Sequence, residues 1–80
     1  MTVTVRLFAS YAEILGKSQI ELTVPDGSTV ADVVRLVSGM HGGRALPPSP
    51  LVAVNYSYAA SAQQLANGDE VAIIPPVAGG

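Results

Sequence analysis

Thr29-Val30-Ala31-Asp32-Val33-Val34-Arg35-Leu36-Val37 is the stretch whose reading decides the architecture of this chain. Valines at 30, 33, 34 and 37 recur at i, i+3, i+4 and i+7, the spacing of one helix face, and Leu36 and Met40 are expected to widen the stripe. Thr29 followed three residues later by Asp32 fits the reciprocal capping pattern of a helix start, and Pro25-Asp26-Gly27 just before it is turn chemistry. Valine has only modest helix propensity, so this helix depends on packing a broad apolar side against a sheet. Its end is expected at Gly39 or at Gly42-Gly43.

The strands of that sheet lie on either side. Thr2 to Phe8 alternates, with Val3, Val5 and Leu7 on one face and Thr2, Thr4, Arg6 and Phe8 on the other. Ala9 to Leu15 suits a short helix closed by Gly16, and Ser18 to Val24 alternates again with Ile20, Leu22 and Val24 inward. The first two strands therefore pair antiparallel across a helical connection. After the main helix, His41 to Pro50 holds two glycines and three prolines and is expected to be an irregular surface loop. Leu51 to Val54 is a continuous β-favouring run. Tyr56 to Ala59 suits a short edge strand, Gln63 to Leu65 a helical turn, Asn67-Gly68 a tight turn, and Glu70 to Ile74 the last strand. The predicted class is α+β: a ubiquitin-like β-grasp roll with a mixed sheet covered by one main helix. Residues 1–74 form the domain and residues 75–80 an extended C-terminal tail.

Composition narrows the function. Eighty residues, 49% apolar and 12% charged, suit one domain with one core. Six acids against four bases give a formal charge of −2, too little positive charge for a nucleic-acid surface. The longest apolar runs fall far short of the ~20 residues of a membrane span, and the N-terminal residues do not read as a secretory signal, so a cytoplasmic location is expected. The chain has no cysteine, which removes disulfides, thiolate metal sites and a thiol nucleophile. His41, the single histidine, has no partners at ligand spacing. The carboxylates are scattered, and the serines lack both a nucleophile elbow and a second histidine as base. Gly42-Gly43 is too short, and wrongly placed, for a phosphate-cradling loop.

The most specific segment is the end, Ile73-Ile74-Pro75-Pro76-Val77-Ala78-Gly79-Gly80. Two consecutive prolines remove backbone donors, so pairing is expected to stop near Ile74 and the tail to run outward by ~20 Å. Gly79 and Gly80 carry no side chains and suit threading through a narrow channel, which leaves the carboxylate of Gly80 as the presented group. The plain alternative is a frayed end.

Together with that ending, Arg6-Leu7-Phe8-Ala9, Glu13-Ile14-Leu15-Gly16, Thr29-Val30-Ala31-Asp32, Ala53-Val54-Asn55 and Gly68-Asp69-Glu70-Val71-Ala72 resemble the small subunit of molybdopterin synthase, in the MoaD/ThiS sulfur-carrier group. The resemblance spans nearly the whole chain. It departs at Ala12, where that pattern often carries an arginine, and the loop 41–50 is not a signature of the group. The resemblance implies that an E1-like adenylyltransferase spends ATP to adenylate Gly80. Conversion to a thiocarboxylate and donation of its sulfur to a pyranopterin precursor inside the large synthase subunit would follow, in a heterotetramer. No cofactor is expected on the chain itself, and no metal. The chain would be a sulfur-donating subunit of a sulfurtransferase complex rather than an enzyme alone, with Gly80 as donor and Gly79 admitting the tail. Pro75, Pro76, Val77, Ala78 and Phe8 are the expected partner contacts, Phe8 having the alternative of bending into the core. The same fold and ending would serve a carrier of the thiamine pathway or a ubiquitin-like modifier, and a plain β-grasp interaction domain is the third reading.

Overall fold

A computed structural model describes residues 1–40, 46–47 and 50–75. The elements run β1 (Thr2–Leu7), α1 (Ala9–Leu15), β2 (Gln19–Thr23), α2 (Val30–Ser38), β3 (Leu51–Val54), β4 (Ser57–Tyr58) and β5 (Glu70–Ile74). The five strands lie in the order β2-β1-β5-β3-β4, with β1 and β5 parallel and the other neighbours antiparallel. This is the β-grasp, ubiquitin-like fold, with a mixed sheet and two helices.

Alternation fixes the registers. Val3 and Val5 oppose Leu22 and Ile20 on β2, while Val5 and Leu7 lie beside Val71 and Ile73 on β5. A one-residue slip would turn every one of these side chains to the other face. Val3, Val5, Val71 and Ile73 are fully buried, as are Val33 and Val37 of α2, so the core is the layer between that helix and one sheet face. Gly16, at φ 75°, supplies the left-handed residue that ends α1, its N–H donating to Ala12 O at 2.9 Å.

The cap of α2 is reciprocal: Asp32 N donates to Thr29 Oγ1 at 3.3 Å, and Thr29 N donates to the Asp32 carboxylate at 2.9 Å. The backbone bond from Thr29 holds the Asp32 carboxyl below its ordinary value, helped by the Thr29 side chain and by Arg35. A depressed carboxyl stabilises the fold above its ordinary pKa, and that share is lost as pH falls through the lowered folded value. Thr29→Ala is expected to cost about 1 kcal/mol at neutral pH, read by urea unfolding. An unchanged midpoint would show that the cap contributes nothing.

Three expectations are corrected. Leu36 does not widen the apolar stripe but is 48% exposed. At about 100° per residue it falls roughly 60° beyond Val33, on the side away from Val30, Val34 and Val37. Gln63 to Leu65 is not a helical turn. The first N–H groups of a helix have no partner within it, and here Val30 and Ala31 donate to the carbonyls of Gln63 (3.0 Å) and Ser61 (2.9 Å). Leu65 N in turn donates to Ser28 O at 2.9 Å, so this segment runs extended beside the start of α2. Finally, Leu46, expected on a surface loop, is buried in the core.

Candidate functional site

Only one face of the sheet is covered by α2, and the registers lay out the other in rows. Beside the end of β5, Phe8 follows β1, Ile74 closes β5 and Leu51 opens β3, with Leu51 and Ile74 paired. The middle row is Arg6, Ala72, Ala53 and Tyr58, each paired with the next across β1, β5, β3 and β4. Two alanines thus floor a trough between an arginine and a tyrosine. The far row holds Thr4 and Glu70, with the turn Asn55-Tyr56 at its border. The hollow so formed has a volume of about 440 Å³.

Its lining is apolar with one ion pair. Arg6 Nη1 stands 3.9 Å from Glu70 Oε1, and the Arg6 guanidinium lies 5.7 Å from the centre of the Phe8 ring. At an exposed site each such contact contributes less than about 1 kcal/mol, so together they restrain the arginine between Glu70 and Phe8 without fixing the fold. Phe8 is 41% exposed, which decides against its bending fully into the core. Pro75 is half-buried where β5 ends, and it has no N–H with which to extend the ladder. Of the other expected tail residues, Pro76, Val77, Ala78, Gly79 and Gly80 lie outside the described residues, as does His41.

Sequence reasoning missed the tyrosines. Tyr56 and Tyr58 are 86% and 75% exposed, the most exposed large hydrophobic side chains among the described residues. Asn55 and Tyr56 have φ of 49° and 72°, the left-handed pair of a tight hairpin turn whose second position favours glycine. Asn55 holds the turn: its side chain donates to Asp69 at 2.9 Å and accepts from Glu70 N at 3.0 Å. A bulky residue in that conformation costs on the order of 1 kcal/mol. In sequence the two aromatics flank Ser57, Tyr56 in the turn and Tyr58 in β4, and both line the same hollow. Tyr56→Gly is expected to raise stability by about 1 kcal/mol while removing an exposed aromatic from this face. A lower melting temperature for that variant would show that Tyr56 is packed rather than presented.

Among the described residues no three His, Asp or Glu side chains gather to hold a metal, and no helix is long and apolar enough to cross a membrane. A second hollow of about 490 Å³ runs beside α2 from Val30 to Ser38. Its one charged side chain, Arg35, pairs with Asp32 at 3.2 Å. The face from which β5 ends, with Phe8, Leu51, Tyr56 and Tyr58 exposed on it, is the better candidate for recognition.

The ThiS family model matches residues 5–80. The chain belongs to the ThiS family. Small archaeal modifier protein 3 of Haloferax volcanii is a relative, 33% identical over 92 residues and aligned over 100% of both chains. The molybdopterin synthase sulfur carrier subunit of Dictyostelium discoideum is 38% identical over 79 residues, covering 92% of this chain and 91% of that one. Among solved structures, SAMP1 of Haloferax volcanii is 30% identical, covers 100% of both chains and superposes with a TM-score of 0.86. ThiS-family membership thus places the chain with the ubiquitin-like ThiS/MoaD sulfur carriers, and its relatives include both a modifier and a synthase subunit.

Proposed function

We propose that the chain is the sulfur-carrier subunit of a molybdopterin synthase, with Gly80 as its working residue. The observation that carries this reading is the 38% identity to a protein of that function across nine-tenths of both chains. The open sheet face supports it, since a carrier must be held by partners that bring their own catalytic groups.

An α-carboxylate is an anion at neutral pH and a poor electrophile, so it must be activated. The Gly80 carboxylate oxygen attacks the α-phosphorus of ATP in an E1-like adenylyltransferase, and pyrophosphate leaves. A sulfur nucleophile then attacks the acyl carbon and AMP leaves, giving a C-terminal thiocarboxylate. That sulfur is a soft nucleophile that bonds to the pyranopterin precursor in the large subunit, and water then cleaves its bond to the Gly80 acyl carbon, leaving sulfur on the precursor and regenerating the carboxylate. The domain docks by Phe8, Ile74, Leu51 and the Arg6-to-Tyr58 trough, while Pro75, Pro76, Val77 and Ala78 lead Gly79 and Gly80 into the partner. ATP is consumed by the activating partner, and the chain holds no cofactor of its own.

The test mixes the chain with a large synthase subunit, an E1-like enzyme, ATP and a sulfur source, and follows conversion of the precursor. Conversion that requires this chain supports the reading. A second reading, a protein modifier, is favoured by the end-to-end alignment with small archaeal modifier protein 3. Transfer of the chain onto lysines of other proteins, with no precursor conversion, would establish it instead.

A further inference from the structure

Asn55 stands where the chain must stay paired and turn away at once. The β3–β5 register sets Val54 beside Val71 and so brings Asn55 beside Glu70, yet the hairpin to β4 begins at Asn55, with φ 49°. An antiparallel pair of this kind exchanges two backbone hydrogen bonds. One of them forms, Asn55 N donating to Glu70 O at 2.9 Å. In place of the other, Glu70 N donates to Asn55 Oδ1 at 3.0 Å, so the side-chain amide stands in for the main-chain carbonyl.

The other end of the same amide is also engaged. Asn55 Nδ2 donates to Asp69 Oδ1 at 2.9 Å, and Asp69 Oδ2 accepts from Ala66 N at 2.8 Å. Ala66 to Asp69 is itself a turn, with Asp69 N donating to Ala66 O at 3.1 Å, and Asp69 O accepts from Thr4 N at 2.9 Å. One pair of side chains thus ties the β3–β4 turn to the turn that enters β5. Tyr56 follows Asn55 at φ 72°, a conformation costly for a bulky side chain. That strain is kept where Tyr56, Tyr58, Arg6 and Glu70 border one hollow. Asn55 reaches both sides of it: Tyr56 is its neighbour in the chain, and Glu70, the ion-pair partner of Arg6, is its hydrogen-bond partner.

We propose that Asn55, braced by Asp69, is the positioning residue of the docking face: it fixes Tyr56 and Tyr58 relative to the Arg6–Glu70 pair, so that a partner meets a preformed hollow. Ordering a turn and two aromatic side chains at the moment of binding would subtract from affinity, and the clamp removes that cost in advance. The proposal rests on the carrier reading and adds which residue sets the shape of its docking face.

The test is a donor–acceptor exchange. Asn55→Asp keeps an acceptor for Glu70 N and tolerates the left-handed backbone, but sets a second carboxylate against Asp69 in place of the donor. Adding Asp69→Asn restores every bond with the roles reversed, the amide at position 69 donating to position 55 and accepting from Ala66 N. Precursor conversion is followed with the full chain, the E1-like enzyme, ATP and a sulfur source at varied large subunit, at a temperature where melting curves show each variant folded. Asn55→Asp is expected to raise the half-saturating concentration about tenfold with the plateau unchanged. Adding Asp69→Asn is expected to bring it back to within about twofold of the unaltered chain. Asn55→Gly, which suits the same φ but makes neither side-chain bond, should shift it as Asn55→Asp does. With Tyr56→Ala and Tyr58→Ala already in place, Asn55→Asp should cause no further shift. Half-saturation unmoved by both Asn55 variants, no return on adding Asp69→Asn, a fall in the plateau alone, or the full shift persisting without the tyrosines would each overturn this proposal and leave the carrier reading intact. No conversion with the unaltered chain would overturn both.

Discussion

A chain lacking Gly79 and Gly80 is expected to melt at the same temperature as the full chain and to lose adenylation completely. The first half follows from the core. Every buried apolar residue among those described, from Val3 to Ile73, lies before Pro75, and β5 pairs only through Ile74. Removing residues beyond that point withdraws no described packing and no described ladder hydrogen bond. The second half follows from the proposed chemistry, since the group that attacks ATP is the carboxylate of Gly80. A carboxylate moved two residues back would stop short of the site that must hold it. Calorimetry and ATP–pyrophosphate exchange on the same samples check both halves. A large fall in melting temperature would mark the tail as structural and sink the carrier argument. Gly79→Ala separates reach from fit: it keeps the length but adds a Cβ at the narrowest part of the tail. Transfer in the synthase is expected to fall severely even where the thiocarboxylate forms.

Phe8→Asp is expected to leave adenylation chemistry intact while raising, roughly ten- to a hundredfold, the concentration of large subunit needed for half-maximal precursor conversion. Burying an apolar ring at an interface contributes about 1.5 to 3 kcal/mol, which corresponds to that range of affinity. Phe8 is already partly covered, with Arg6 over its ring, so the lower part of that range is the better guide. An aspartate there meets the Arg6 guanidinium, which argues that the variant stays folded, and a melting curve confirms it. The maximal rate at saturating large subunit should be unchanged, because Phe8 touches no reacting atom. A drop in that plateau with no shift in half-saturation would place Phe8 in the transfer step and not in docking. The unaltered chain is expected not to support thiazole formation with a thiamine-pathway synthase. Efficient thiazole synthesis, with no binding to any molybdopterin large subunit, would reassign the pathway while leaving the chemistry at Gly80 in place.

The site was legible in unequal parts. Phe8 followed from alternation in β1, because a strand whose inward positions are valines and leucine must put the intervening residues outside. The sequence places Tyr56 and Tyr58 only on a short edge strand, since nothing in Asn55-Tyr56-Ser57-Tyr58 says which face of the sheet stays uncovered. Arg6 and Glu70 are far apart in the chain and meet only because β1 and β5 pair in parallel, with Thr4 beside Glu70.

Residues 29–37, read alone, determined that a valine-faced helix starts at a Thr29–Asp32 cap and must rest on a sheet. Alternation determined which faces of β1 and β5 point to it. These are local matters: a periodicity of 3.6 or 2 leaves a side chain little choice of direction, and a cap joins residues three apart. By helical angle alone Leu36 lies off the valine face, whereas only tertiary structure decided that Leu46 enters the core and that Gln63 to Leu65 run extended. Each of these depends on a surface supplied by a distant part of the chain. Val30 and Ala31 needed acceptors that their own helix cannot provide, and the Ser61–Gln63 carbonyls supplied them. That demand, made across thirty residues and more, overrode the local preference for a turn.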